Sequence, residues 1–94
     1  MPNRDLGKEI ILPEMLDGAA FNGLRAVLME AIVHDGEVAI DAAQVERLTT
    51  PCAQLLVAFL QVRKSQNQKV RISKVSTNFH SAWGDLGLSE FFAA

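Results

Sequence analysis

Apolar residues recur along this chain in short runs, and their spacing switches between the period of a strand and the period of a helix. "KEIIL" (8 to 12) is a brief apolar run closed by Pro13 and predicts a strand. In "LDGAAFNGLRAVLMEAIVHDG", Leu24, Val27, Leu28, Ala31 and Ile32 return at helical spacing. Asp17 is the expected N-cap of that helix, and Asp35-Gly36 the expected stop, because glycine accepts the left-handed conformation past a helix end. Gly23, inside the pattern, costs about 1 kcal/mol relative to alanine and is expected to allow close helix-to-sheet packing. "GEVAIDA" (36 to 42) predicts a buried strand with Val38 and Ile40 on one face and Ala39 on the other. In "VERLTTPCAQLLVAFLQ" (45 to 61), Cys52, Leu55, Leu56, Phe59 and Leu60 form one helix face. "KVRIS" (69 to 73) alternates Val70 and Ile72 with basic residues, as a strand does. "STNFHSAWGDLGL" (76 to 88) opens on a Ser76 cap, sets Phe79, Ala82, Trp83 and Leu86 at helical intervals, and ends at Gly87. The tail "SEFFAA" brings two phenylalanines, expected to pack against the domain.

Strand and helix alternate three times, which implies an α/β layer fold: a small mixed sheet with helices packed on it. Ninety-four residues make one domain, 1–94, whose 49% of hydrophobic residues are enough to build a modest core. A net charge of −2 gives no electrostatic reason to expect nucleic acid or an anionic membrane as partner. "MPNRDLGKEI" lacks the apolar segment of a secretory signal, and no apolar run is long enough for a membrane span. The expected compartment is therefore the cytoplasm, without membrane insertion. A single cysteine supports neither an intramolecular disulfide nor a multi-cysteine metal site.

The candidate chemistry concentrates at "TTPC" (49 to 52). Thr50 is the expected N-cap of the third unit's helix, with Pro51 at the first helical position and Cys52 turned into the core. Thr49 has no part in that cap. A hydroxyl at a helix start lies beside the positive end of the helix dipole, and a phosphate there adds about −1.5 to −2 charges at a surface turn. Such a modification would repel an apolar partner docked over the turn. Ala53 and Val57, read as lying off the core face, form with Gln54 a partly apolar ridge beside the turn. Catalysis has few candidates: His34 and His80 fall on different elements, and Cys52 is directed inward, away from any histidine. No phosphate loop, dinucleotide fingerprint or paired acidic site occurs, so no enzyme, metal or cofactor is expected. Trp83 reads as packing rather than as an interface anchor, and "RKSQNQKVRISK" (63 to 74) as a solvated helix end and strand face.

"VAIDAAQVERLTTPCAQLLVAFLQ" followed by "VRISKVSTNFHSAWGDLGLSEFF" resembles the STAS domain, the sulphate transporter and anti-sigma factor antagonist family, over about residues 9–92. In that family a strand ends in Asp-Ser-Ser-Gly-Leu or Asp-Thr-Ala-Gly-Leu, which opens a leucine-rich helix. A later strand leads to a Ser-x-x-Phe helix ending in Leu-Gly-Leu, matched here by "VSTNFHSAWGDLGL". Carried over by position, Thr49 stands for the family's aspartate and Thr50 for its phosphorylated serine or threonine. Pro51 follows as the next small residue, Cys52 replaces the glycine and Ala53 the leucine. Only the hydroxyl of the phosphoswitch survives, and the carboxylate that could position it is lost. The resemblance implies a bacterial, non-enzymatic regulatory module that binds another protein through Thr49, Thr50, Pro51, Ala53, Gln54 and Val57. The pattern is most similar to short single-domain STAS proteins beside chemotaxis genes, which implies a chemotaxis receptor or kinase component as partner. The alternatives are a kinase-type anti-sigma factor and the ATPase of a phospholipid-transport ABC complex. Self-association through the "KEIIL" strand edge is a further candidate.

Overall fold

A computed structural model describes residues 7–88. The expectation for the phenylalanines of the tail, Phe91 and Phe92, lies outside the described residues. The elements run β1 (Lys8–Ile11), β2 (Met15–Leu16), α1 (Phe21–Ala31), β3 (Val38–Ala42), β4 (Arg47–Leu48), α2 (Thr50–Ser65), β5 (Val70–Val75) and α3 (Thr77–Asp85). This is an α/β layered fold. The main sheet has the order β1-β3-β5, and β2 pairs with β4 in a small second sheet.

Among the described residues every strand pair is parallel, where a mixed sheet was expected. The reason is connectivity: β1 reaches β3 through α1, and β3 reaches β5 through α2. Two crossovers of the usual right hand, stepping the same way across a sheet, put both helices on one face. The cross-strand row Ile10–Ile40–Ile72 underlies them. Leu24 and Leu28 of α1 and Leu56, Phe59 and Leu60 of α2 close over it as one buried cluster. The opposite face alternates to Glu9, Ile11, Ala39, Asp41 and Arg71, all exposed or half-buried. Arg71 there donates to Glu37 at 3.0 Å.

Several boundaries differ from the sequence reading, each for a local reason. Asp17 caps a turn rather than α1. Its carboxylate accepts the N–H groups of Ala19 and Ala20, and the helix begins only at Phe21. At the other end α1 stops at Ala31, four residues before Asp35-Gly36; Gly36 takes its positive φ of 144° within the following loop. Gly23 does not mediate close packing. It faces outward, and a Cβ built on it meets nothing within 4 Å. In β5 the register slips between Ile72 and Lys74, leaving Ser73 as an extra residue whose hydroxyl donates to the Ile40 carbonyl at 3.2 Å.

Arg63, read as part of a solvated helix end, is fully buried. Its guanidinium donates to the carbonyls of His34 (2.6 Å), Gly36 and Lys69 (2.9 Å). Burial lowers the Arg63 pKa below its ordinary value, and the nearby Asp35 carboxylate acts in the opposite direction. Trp83 is also fully buried and stacks on Phe79, with ring centroids 5.2 Å apart.

Candidate functional site

Strand β4 delivers the chain to α2 at Leu48, paired with Leu16 of β2. Thr49 follows in extended conformation (φ −87°, ψ 159°) and is the residue in the N-cap position. Thr50 is thus the first helical residue and Pro51 the second, one place later than the sequence reading put them. Proline is tolerated there for the same reason as at the first position, since neither N–H has a helical acceptor. The capping role given to Thr50 is not seen: no side chain caps α2. Thr49 instead turns its hydroxyl back to donate to the Leu16 carbonyl at 3.0 Å, beside its own N–H bond to the same oxygen at 2.9 Å. That doubled contact explains Thr49 and pins the start of α2 to β2. Cys52 adds a weaker tie, its buried thiol reaching the Asp17 carbonyl at 3.6 Å. A thiol so enclosed is inert toward substrates.

Thr50 and Pro51 themselves are exposed. From Thr50 a stripe continues along α2 through Ala53, Gln54, Val57, Ala58 and Gln61, at helical spacing. Leu86 and Leu88, after α3, form the facing wall of a groove of about 300 Å³. Ala53 corrects the sequence reading: it is 1% exposed and belongs to the core, so it is the floor of this groove rather than part of a raised ridge. Val57 is half-buried at its side, and Gln54 is exposed. No lining residue carries a charge, so the groove offers apolar surface rimmed by a hydroxyl and two amides.

The far wall is held by a helix stop. Leu88 N–H donates to the Trp83 carbonyl at 3.0 Å, and Gly87 N–H to that of Gly84 at 2.9 Å. Gly87 sits at φ 77°. These are the paired bonds of a Schellman ending, in which glycine avoids a Cβ clash. "LGL" therefore ends α3 and also places two leucines opposite Thr50, Gln54 and Val57.

The six residues predicted to meet a partner do not form one surface. Thr50, Ala53, Gln54 and Val57 line the groove, whereas Thr49 and Pro51 lie with Asp17, Gly18, Phe21 and Asn22 around a separate depression of about 530 Å³. Ala58 and Gln61 were missed, although they continue the same helical stripe. Leu86 and Leu88 were missed because they come from another element, and nothing local announces which helix they will face. Among the described residues no three His, Cys, Asp or Glu side chains come together to hold a metal ion. No described helix is long and apolar enough to cross a membrane. Compared with known proteins, the chain matches no family model and no curated relative.

Proposed function

We propose that this protein is a non-enzymatic regulatory module of the STAS type, which binds another protein through the groove between the first half of α2 and the end of α3. The observation that carries the reading is the alignment of Thr50, Gln54 and Val57 with Leu86 and Leu88 around one uncharged groove at an exposed helix start. A partner helix or loop with a small apolar face fits such a surface, and desolvating it leaves no charge unpaired. The Thr50 hydroxyl stands at the rim, where a phosphate would bring charge into an otherwise neutral contact. By its resemblance to STAS proteins near chemotaxis genes, the setting is bacterial chemotaxis, with a receptor or its histidine kinase as partner.

The test is affinity capture from the native cell, using the wild-type chain and two groove variants, Gln54→Arg and Val57→Glu. Recovery of chemotaxis components by the wild type alone supports the reading. Recovery of an anti-sigma kinase or an ABC ATPase keeps the module and changes its setting. A partner retained equally by both folded variants removes the groove from the interface.

A further inference from the structure

The two edges of the main sheet are built differently. The β5 edge is interrupted by the bulge at Ser73, and Arg71 and Lys74 stand on its exposed face. Bulges and edge charges are the usual devices that stop one sheet from adding to another. The β1 edge has no bulge: its register against β3 is unbroken, Glu9, Ile10 and Ile11 run straight to Leu12 before Pro13 closes the strand, and its two charges, Lys8 and Glu9, are of opposite sign.

The backbone of β1 is half used. The N–H groups of Lys8 and Leu12 donate inward, to Glu37 and Asp41 of the β3 segment. In a parallel strand alternate residues face opposite sides, so Glu9 and Ile11 direct both their N–H and C=O groups outward. No strand lies beyond them among the described residues. Next to this edge, on the helix-covered side, is an apolar groove of about 350 Å³ between β1 and α1. Gly23 leaves it open, and Val27 is 40% exposed along its wall. Ile11, on the other face, is 60% exposed.

We propose that this edge binds a second copy of the chain by antiparallel β1–β1 pairing, giving one continuous sheet across a two-fold axis. The edge is complementary to itself in one register. Opposed residues in an antiparallel pair share a face, so a two-fold perpendicular to the sheet must pass beside a single residue of β1. Centred on Ile10, it sets Glu9 opposite Ile11 of the second copy, and these outward-facing residues exchange both backbone bonds. Ile10 then meets its own copy in the closer, non-hydrogen-bonded pair over the apolar groove, and Lys8 meets Leu12. No like charges oppose each other. Centring on Glu9 would instead place two carboxylates face to face, and centring on Ile11 would bring in Pro13, which has no N–H to give. A short strand alone falls well below the roughly 800 Å² per partner of a stable interface, so α1 must close against its copy through Gly23 and Val27. This surface is separate from the α2 groove, and the pairing stands or fails independently of the proposed function.

The experiment is the mass of the full chain in solution, by light scattering and sedimentation over a concentration series, with circular dichroism as the check on folding. The wild type is expected at twice the mass of one chain. Ile11→Pro removes an outward N–H without touching the bonds to β3, and is expected to give a folded monomer. Val27→Glu, on the α1 seam, is expected to weaken association about tenfold or more. Should Ile11→Pro fail to fold, Val27→Glu carries the decision. A wild-type chain that is monomeric at every attainable concentration overturns the proposal, as does a folded variant of either kind with undiminished association.

Discussion

The two ends of α2 are built on opposite plans. At the C-terminal end Arg63 is sealed inside the protein, gathering the carbonyls of His34, Gly36 and Lys69. Those carbonyls come from the α1–β3 loop and from Lys69, the residue before β5, so one guanidinium ties together the segments that feed two strands. At the N-terminal end the exposed hydroxyl of Thr50 and the ring of Pro51 cap nothing. Here the tie is made one residue earlier, by Thr49 to Leu16. A polar group with all its bonds directed inward holds the fold. One left at the rim of a neutral groove is free to be read or modified.

The sharpest way to break this contrast is at Arg63. Arg63→Ala takes the guanidinium donor from the His34 and Gly36 carbonyls, leaves the Lys69 carbonyl with only the Val38 N–H, and opens a hole where the side chain lay. Each enclosed carbonyl left without a donor costs about 1–3 kcal/mol, and the lost packing of the side chain adds to that. Against a total of roughly 5–15 kcal/mol for a domain, that is a large share. Urea denaturation should show it as a marked fall in midpoint. A loss below about 1 kcal/mol would show that the carbonyls are satisfied without Arg63, and that the C-terminal end is not the anchored one.

Ser76, at the start of α3, tests the hydroxyl side of the comparison. Its oxygen accepts from Phe79 N–H at 2.9 Å and its proton goes to the Val45 carbonyl. Ser76→Ala removes a cap and an interelement bond together, and should cost about 1–2 kcal/mol in the same denaturation assay. Thr49→Val keeps the shape and loses only the hydroxyl donor to Leu16, whose oxygen retains the Thr49 N–H. Its expected cost is smaller, about 0.5–1 kcal/mol. Equal losses for Ser76→Ala and Thr49→Val would mean that the hydroxyl tie of Thr49 to β2 holds the α2 start as firmly as the Ser76 cap holds the α3 start.

The sequence makes some of this legible and hides the rest, for physical reasons. The row Ile10–Ile40–Ile72 and the helix faces of Leu24, Leu28, Leu56 and Phe59 are visible because burial imposes a period on local sequence. Ser76 is visible because capping is a local bond across three residues. Arg63 is not, because a basic residue in the last turn of a helix is ordinarily solvated, and its acceptors lie on distant segments. Thr49 and Thr50 exchange roles through a shift of one residue, which periodicity cannot resolve when Leu16 supplies the deciding acceptor. Strands β2 and β4 are too short to carry an alternation of their own. The groove is half legible: its α2 stripe is periodic, while the opposing Leu86 and Leu88 are placed by the Schellman turn at Gly87.

Thr50 itself should show the smallest effect on stability and the largest on binding. Its hydroxyl caps nothing in α2, so Thr50→Ala is expected to shift stability by no more than about 0.5 kcal/mol. Thr50→Glu places a carboxylate at the first helical residue, where the dipole favours it by about 0.3–1 kcal/mol, and the midpoint should rise slightly or hold. The same charge stands at the rim of an uncharged groove, where a docked partner would have to desolvate it. Partner capture should therefore survive Thr50→Ala and fail with Thr50→Glu, both chains being folded. That split separates a position tolerated by the fold but read by a partner from one that merely lies on the surface, since the latter would leave capture unchanged in both variants. If instead Thr50→Ala destabilises the chain as much as Ser76→Ala does, the hydroxyl belongs to the fold and the two ends of α2 are anchored alike.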